Sequence, residues 1–536
     1  MKCDMQQPQC ARCLRSGLEC SGPKSSGALF VNRHADTFLS QTAQMALVEA
    51  YQDRPREARA VNDTGTLHQA TLLSIQQFRY AIASHQTAST LSRAETTLIS
   101  HTAETAPLYL AILDEFKPEN AVGIFGGDRA GDPRISHYSN IATVIRGLLP
   151  LTSKGFSVLD RSVFSLFTLY YGRLHSDSGL VALARSSYTS ALSHFSQRLG
   201  KLMANNTPEH QSSFLAFTCA AVALQLFEHL NEVDVTGEAQ LAHIDGALRL
   251  LRICEPTPFQ MSRDLRNVYS GLRGSAVFLA IDRREPTFLA ETAWLDTPYR
   301  GQEKSAKERL VDLGLEIPAL LCNADKLIQA SQDSPNSTAS SVNACFELLL
   351  KFTDLRRRLE EWLYDLTLAT PGPLYWTKGT PVVRTIIHVD FECQPRTSNP
   401  IRDLCFPCGS VAGLLIHYWT FQLQLSMSAI DIQRAMLMNI AVDTVSDSQL
   451  AATTNRHLET DYVAAEEYAK LVLEGQPFVG SCFEGLLCLQ SPLRIVGKYY
   501  DRPDIGLREK EKREQTSSRS STTITSATEA WETSRP

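Results

Sequence analysis

No long uncharged apolar run is present in this chain. The most apolar stretch, Phe214 to Phe227, falls short of the roughly 18 residues a membrane span requires and runs into Glu228 and His229. It therefore reads as a buried core helix, and no membrane contact is expected. Excess basic charge is also lacking. Against 52 Lys and Arg stand 58 Asp and Glu, a net charge of −6 with a pI near 6.1, which argues against nucleic-acid binding over the whole surface and leaves only a local contact. Catalytic signatures are missing too: no H-E-x-x-H, no phosphate-binding G-x-x-x-x-G-K-[ST], no G-x-S-x-G elbow and no strand followed by G-x-G-x-x-G. The carboxylates of Asp282, Glu285 and Glu291 read as solvated helix-end charges, and no enzyme is expected. Thirteen cysteines in 536 residues are too sparse for a disulfide scaffold, and Met1 to Gln9 is polar, unlike a secretory leader. Alternating strand patterns are scarce; Pro381 to Asp390 is an isolated case.

What the chain does have is a dense thiol pattern at its start: Cys3-x6-Cys10-x2-Cys13-x6-Cys20, with a turn-forming Pro8 before the second cysteine. Four thiolates complete a tetrahedral structural zinc site, and a segment this small owes most of its folding to the metal, about 10–16 kcal/mol in comparable peptides. The residues Lys2-Cys3-Asp4, Pro8-x-Cys10-x2-Cys13 and Gly17-Leu18-x-Cys20-x-Gly22 resemble the second half of the fungal six-cysteine binuclear zinc cluster of transcription factors. In that family six thiolates hold two zinc ions, and a first C-x2-C followed by a short basic helix precedes the third cysteine. Cys3, Cys10, Cys13 and Cys20 match the last four ligands, and only Lys2 stands where the basic helix would be. One zinc on these four thiolates is chemically sound; two require shared or borrowed ligands.

The resemblance implies zinc as cofactor, a nuclear location, and DNA as partner through GC-rich triplets, often as a homo- or heterodimer that recruits transcriptional co-regulators. The DNA-facing candidates are Lys2, Arg12 and Arg15, a weak footprint, because with Lys24 they stand against Asp4 and Glu19 for a balance of +2. Each phosphate contact they make adds about −0.9 to the salt slope on duplex DNA. A regulator that no longer reads DNA and acts through helical partner contacts is the alternative.

The remainder is expected to be mainly α: a large all-helical regulatory domain over 65–505, preceded by the incomplete cluster at 1–22 and a linker and domain entry at 23–64. With 43% hydrophobic residues it can bury a core. Residues 506–536 form a tail, first the mixed charge run Arg508 to Glu514, then a Ser/Thr-rich stretch expected to be disordered. Ser21 to Gly27 reads as flexible linker. Gly126 to Pro133 and Pro371-Gly372-Pro373 read as loops. Tyr188, Ala191, Leu192, Phe195, Leu199 and Leu202 recur on one helical face, and Leu241, Ile244, Leu248 and Leu251 follow a similar spacing.

Three stretches resemble the fungal-specific regulatory domain that follows many such clusters: Leu241 to Leu251, Arg283 to Ala290 with Trp294, and Pro492 to Tyr500. The resemblance implies a helical scaffold for regulation and carries over no catalytic residue. Physically, the first is an amphipathic helix in which Gly246 marks a close crossing and His243 is a hydrogen-bonded interfacial histidine. Arg283 and Arg284 are expected to bond helix C-terminal carbonyls. Cys405-Phe406-Pro407-Cys408 has the C-x2-C spacing of half a metal site, with Cys393, His388 and His417 as further donors; read plainly, it is two small hydrophobes in a loop leading into a helix near Gly409.

Overall fold

The first described helix is 13 residues long, and the described residues after it are mostly helical. The computed structural model describes residues 140–152, 157–204, 210–231, 238–333, 338–370, 372–377, 403–440, 445–480 and 483–508. In chain order the α-helices are α1 (Asn140–Thr152), α2 (Ser157–Leu174), α3 (Ser178–Ala204), α4 (His210–Asn231), α5 (Glu238–Cys254), α6 (Thr257–Met261), α7 (Arg263–Arg283), α8 (Thr292–Asp296), α9 (Ala306–Asp333), α10 (Thr338–Ala369), α11 (Gly409–Asn439), α12 (Val445–Val479) and α13 (Phe483–Tyr500). Two single 3-10 turns, Phe288–Ala290 and Thr297–Tyr299, flank α8. The described body is thus mainly α. Its strands, β1 (Trp376–Thr377) and β2 (Leu404–Cys405), form one two-residue antiparallel ladder. The isolated strand pattern at 381–390, the 126–133 loop and the linker lie outside the described residues.

Helices α1 to α5 pack as one group, with α2 on α3, α4 on α5 and α2 on α4. Helices α9 to α13 form the other, in which α11 lies against α9, α10, α12 and α13. Helix α7 bridges the two by packing on α1, α5 and α9, which is why it is buried around most of its girth, from Arg266 to Ile281. Its start is fixed by Ser262, whose Oγ accepts from the Leu265 amide at 3.3 Å. It ends at Arg284, whose backbone takes the left-handed conformation at φ 54°.

The α3 stripe lies as its spacing predicts: Tyr188, Ala191, Phe195 and Leu199 are buried, with Leu192 and Leu202 packed at its margin. On α5 the stripe is rotated: Ile244, Ala247, Leu250 and Leu251 are buried, while Leu241 and Leu248 are only partly covered. The Phe214–Phe227 segment is a core helix, but the length argument needs correcting. Ser213–Asn231 supplies 19 residues long and apolar enough to cross a membrane, and it reads as core because 78% of that window is buried in the protein.

Candidate functional site

The sequence-derived ligands Cys3, Cys10, Cys13 and Cys20, and the DNA-facing Lys2, Arg12 and Arg15, lie outside the described residues. The donor set can still be tested by its chemistry. Four thiolates match the complement of one tetrahedral structural zinc, so the residues fit the metal.

In the helical body, the three separated stretches singled out in the sequence converge on the C-terminal end of α7. Asp245 of α5 accepts from Arg283 at 2.8 Å, and Asp282 of α7 accepts from Lys498 of α13 at 2.5 Å. Arg284 forks onto Asp325 of α9 through Nε and Nη2 at 2.6 and 2.7 Å. Two expectations are corrected here. Arg283 and Arg284 pair with carboxylates on neighbouring helices rather than with helix carbonyls, because α5 and α9 bring Asp245 and Asp325 within reach. Asp282 is an interhelical ion-pair partner rather than a solvated end charge.

Beside these pairs lies a small cleft of about 50 Å³, lined by α4, α5, α7, α11 and α13. Leu241, Ile244, Phe278 and Leu279 form its apolar wall, and His229, Gln240, His417, Cys488, Ser491 and Arg494 supply polar groups. Gln240 hydrogen-bonds His229, and Arg494 donates to Ser491 at 3.3 Å. The His417 ring packs edge-on against Phe278 with centroids 4.9 Å apart. Burial, with the nearby Lys307 ammonium second, pushes its pKa down to about 4, so the imidazole is neutral at neutral pH. The Lys307 Nζ is itself cut off from solvent and makes no hydrogen bond, although its stem is partly exposed; burial holds its pKa below the usual lysine range. A cleft this size takes a few waters or one small group.

His243 is the hydrogen-bonded interfacial histidine expected, its Nε2 lying 2.9 Å from the Tyr188 hydroxyl. Gly246 is buried on the same helix. Cys405 lies on β2, and Cys408 precedes α11 at its N-cap and packs against the core. That is the plain reading of the pair. Among the described residues no group of three His, Cys, Asp or Glu is placed to hold a metal. The proposed partner His417 sits on α11 between Phe278 and Phe421, and Cys393 and His388 lie outside the described residues.

Two polar networks escaped the sequence reading. Arg273 is almost wholly buried; it pairs with Asp312, bonds the Tyr299 hydroxyl at 3.2 Å and lies over the Tyr269 and Tyr299 rings at 5.5 Å. Burial works against its charge, but the tyrosine oxygens and Asp312 outweigh it, so the guanidinium stays protonated. At the other end, Arg502 grips Asp431 and Asp504, and Asp504 also accepts from Tyr462 at 2.6 Å. Arg508, the first residue of the mixed charge run, pairs with Glu459 and covers the Tyr462 ring at 4.1 Å. Only the order of helices along the chain could have hinted at either network.

Residues 1–28, which hold all four candidate thiolates, match the family model of the Fungal Zn(2)-Cys(6) binuclear cluster domain. This segment is similar to fungal zinc-cluster modules. Zinc-cluster domains bind two zinc ions, and the proteins that carry them are DNA-binding transcription factors rather than enzymes. The matched zinc-cluster segment contains four cysteines. No curated protein and no solved structure matches the chain.

Proposed function

We propose that this chain is a nuclear, zinc-dependent regulator of RNA polymerase II transcription, with residues 1–22 as its DNA-binding module and residues 65–505 as a helical domain that receives regulatory partners. The observation that carries the reading is the zinc-cluster match over Cys3, Cys10, Cys13 and Cys20. These thiolates hold zinc, and Lys2, Arg12 and Arg15 supply the positive charge at the phosphate backbone of GC-rich triplet sites. With so few basic groups in the segment, phosphate attraction is modest, and base reading depends on bidentate contacts worth about 1–3 kcal/mol each. The Ser/Thr-rich stretch from Thr516 to Thr528 offers hydroxyls to modification.

The test is zinc per chain on the purified full-length protein, with Cys13→Ser as comparison, followed by selection of bound duplexes from a random pool. Bound zinc that falls in the variant, together with a GC-rich consensus, supports the reading. Zinc without any selected sequence favours a regulator that works through helical contacts alone. Absence of zinc from both proteins overturns the metal assignment.

A further inference from the structure

Helix α13 carries a proline inside it, Pro492, and proline has no backbone N–H to give. The carbonyl one helical turn before it belongs to Cys488, so the helix leaves that oxygen without its usual donor. The imidazole of His417, on α11, makes a hydrogen bond to the Cys488 backbone in its place. Cys488 is thereby held at the cleft beside α7, which both residues line. Its side chain is a half-buried thiol.

A cation stands behind this wall. Lys307, at the start of α9, acts electrostatically on both His417 and Cys488, and its Nζ is closed off from solvent without a hydrogen-bond acceptor. Burial opposes its charge, while Glu308 and then Cys488 favour it. Glu308 is already engaged, accepting from the Ser270 hydroxyl at 2.8 Å and the Ser305 amide at 3.0 Å. A thiolate at Cys488 therefore answers a buried positive charge that lacks an acceptor. The other polar groups of the cleft are His229, Gln240, Ser491 and Arg494, and among the described residues no carboxylate lines it to repel a thiolate. A cysteine becomes reactive when a cation stabilises its thiolate and a reagent can reach it. Cys219, Cys254 and Cys345 fail the second condition, since all three are buried, and burial pushes the Cys254 thiol up to about 11.

We propose that Cys488 is an oxidative modification site, at which its thiolate reacts with hydrogen peroxide admitted to the cleft. The size of the cleft, about 50 Å³, selects the reagent: it takes a few waters or one small group, and hydrogen peroxide is hardly larger than water and hydrogen-bonds as water does. The thiolate sulfur attacks one peroxide oxygen, and the S–O bond forms as the O–O bond breaks. The second oxygen leaves as hydroxide, which the solvent buffer protonates to water. Sulfur loses two electrons and the peroxide gains them, giving a sulfenic acid that thiols can reduce again. Lys307 is a positioning residue here, acting through its charge on the thiolate. None of these residues belongs to the zinc cluster, so the proposal stands apart from the zinc reading.

The test uses reduced full-length protein treated with hydrogen peroxide and dimedone, a sulfenic-acid trap, with every cysteine followed by peptide mass spectrometry. Cys488 is expected to be trapped roughly tenfold faster or more than Cys322, which is also half-buried. Lys307→Met keeps the length of the side chain and removes its charge; it slows trapping at Cys488 but not at Cys322, and moves the pH of half-maximal rate at Cys488 upward. Cumene hydroperoxide, too bulky for the cleft, loses the preference for Cys488. A wild-type Cys488 no faster than Cys322 overturns the proposal, and this comparison lies within one molecule and needs no variant to fold. An unchanged pH profile in Lys307→Met, or an undiminished preference with cumene hydroperoxide, overturns it as well.

Discussion

The hydroxyl of Tyr188 and the Nε2 of His243 meet at 2.9 Å, joining α3 to α5 inside the core, while the Tyr188 ring stacks on Phe227 with centroids 4.2 Å apart. Burial lowers the His243 pKa from 6.5 to about 4, so the imidazole is neutral in the fold. His417 behaves alike. Between pH 6.5 and 4 the unfolded chain takes up protons that the fold refuses. The stability these histidines permit is therefore complete above pH 6.5 and falls with pH through that window, by on the order of 3 kcal/mol for each histidine. Urea unfolding at a series of pH values shows this loss, and His243→Gln makes it shallower. A slope unchanged by that substitution contradicts the assignment.

Asp160, in the first turn of α2, has the opposite sign. Burial raises its pKa from 3.8 to about 7, and its Oδ1 is buried without a hydrogen-bond partner. Its contribution is intact below pH 3.8 and is lost as the pH rises through 7. Asp160→Asn is expected to stabilise the protein at pH 8 by on the order of 1 kcal/mol, a figure reduced for solvent screening of a partly exposed carboxyl, and to change little at pH 4. Thermal melts at the two pH values decide; a variant less stable than wild type at pH 8 refutes the prediction.

Asp312 holds the buried Arg273 and also accepts from Lys304 at 2.7 Å. Asp312→Ala leaves the guanidinium charged without its carboxylate, at a cost of about 3–5 kcal/mol. Removing both charges with Arg273→Met/Asp312→Leu is expected to cost much less than the two single losses added together. Equilibrium unfolding of the single and double variants gives the coupling directly.

Gly314 of α9 lies under the ring of Phe421 on α11. A methyl group at that position would stand 2.5 and 2.6 Å from two ring carbons and 3.1 Å from Val277. Gly314→Ala is expected to destabilise by about 1–2 kcal/mol, the overpacking cost less the roughly 1 kcal/mol that alanine gains in a helix interior. In the Phe421→Leu background the same change becomes neutral or favourable. Equal penalties in both backgrounds would locate the strain elsewhere.

Helical character and most of the core could be read from the chain because they are set by local spacing. The α3 stripe is an example: its large residues carry the signal and its partners bury them. On α5 the spacing was right but the centre was displaced, since Ala247 carries little hydrophobic signal in a sequence yet is buried beside Ile244, Leu250 and Leu251. The thiolate pattern could be read for the same local reason, as zinc ligands sit at short fixed intervals. Lys498 and Asp282, 216 positions apart, could not, nor could the pairing of Arg283 with Asp245. Charges at helix ends have many candidate partners, and only the packing of α5, α9 and α13 around α7 selects among them.

At the edge of this packing, Trp376 stands opposite Cys405 and Thr377 opposite Leu404. The ladder makes the chain leave and re-enter the body at one place, like the two posts of a gate. The helices on either side, α10 and α11, are held independently of the ladder, since both pack on α9 and on each other. Two residue pairs thus join the end of one packed helix to the start of another, and a substitution that breaks them is felt at that junction before it reaches the core.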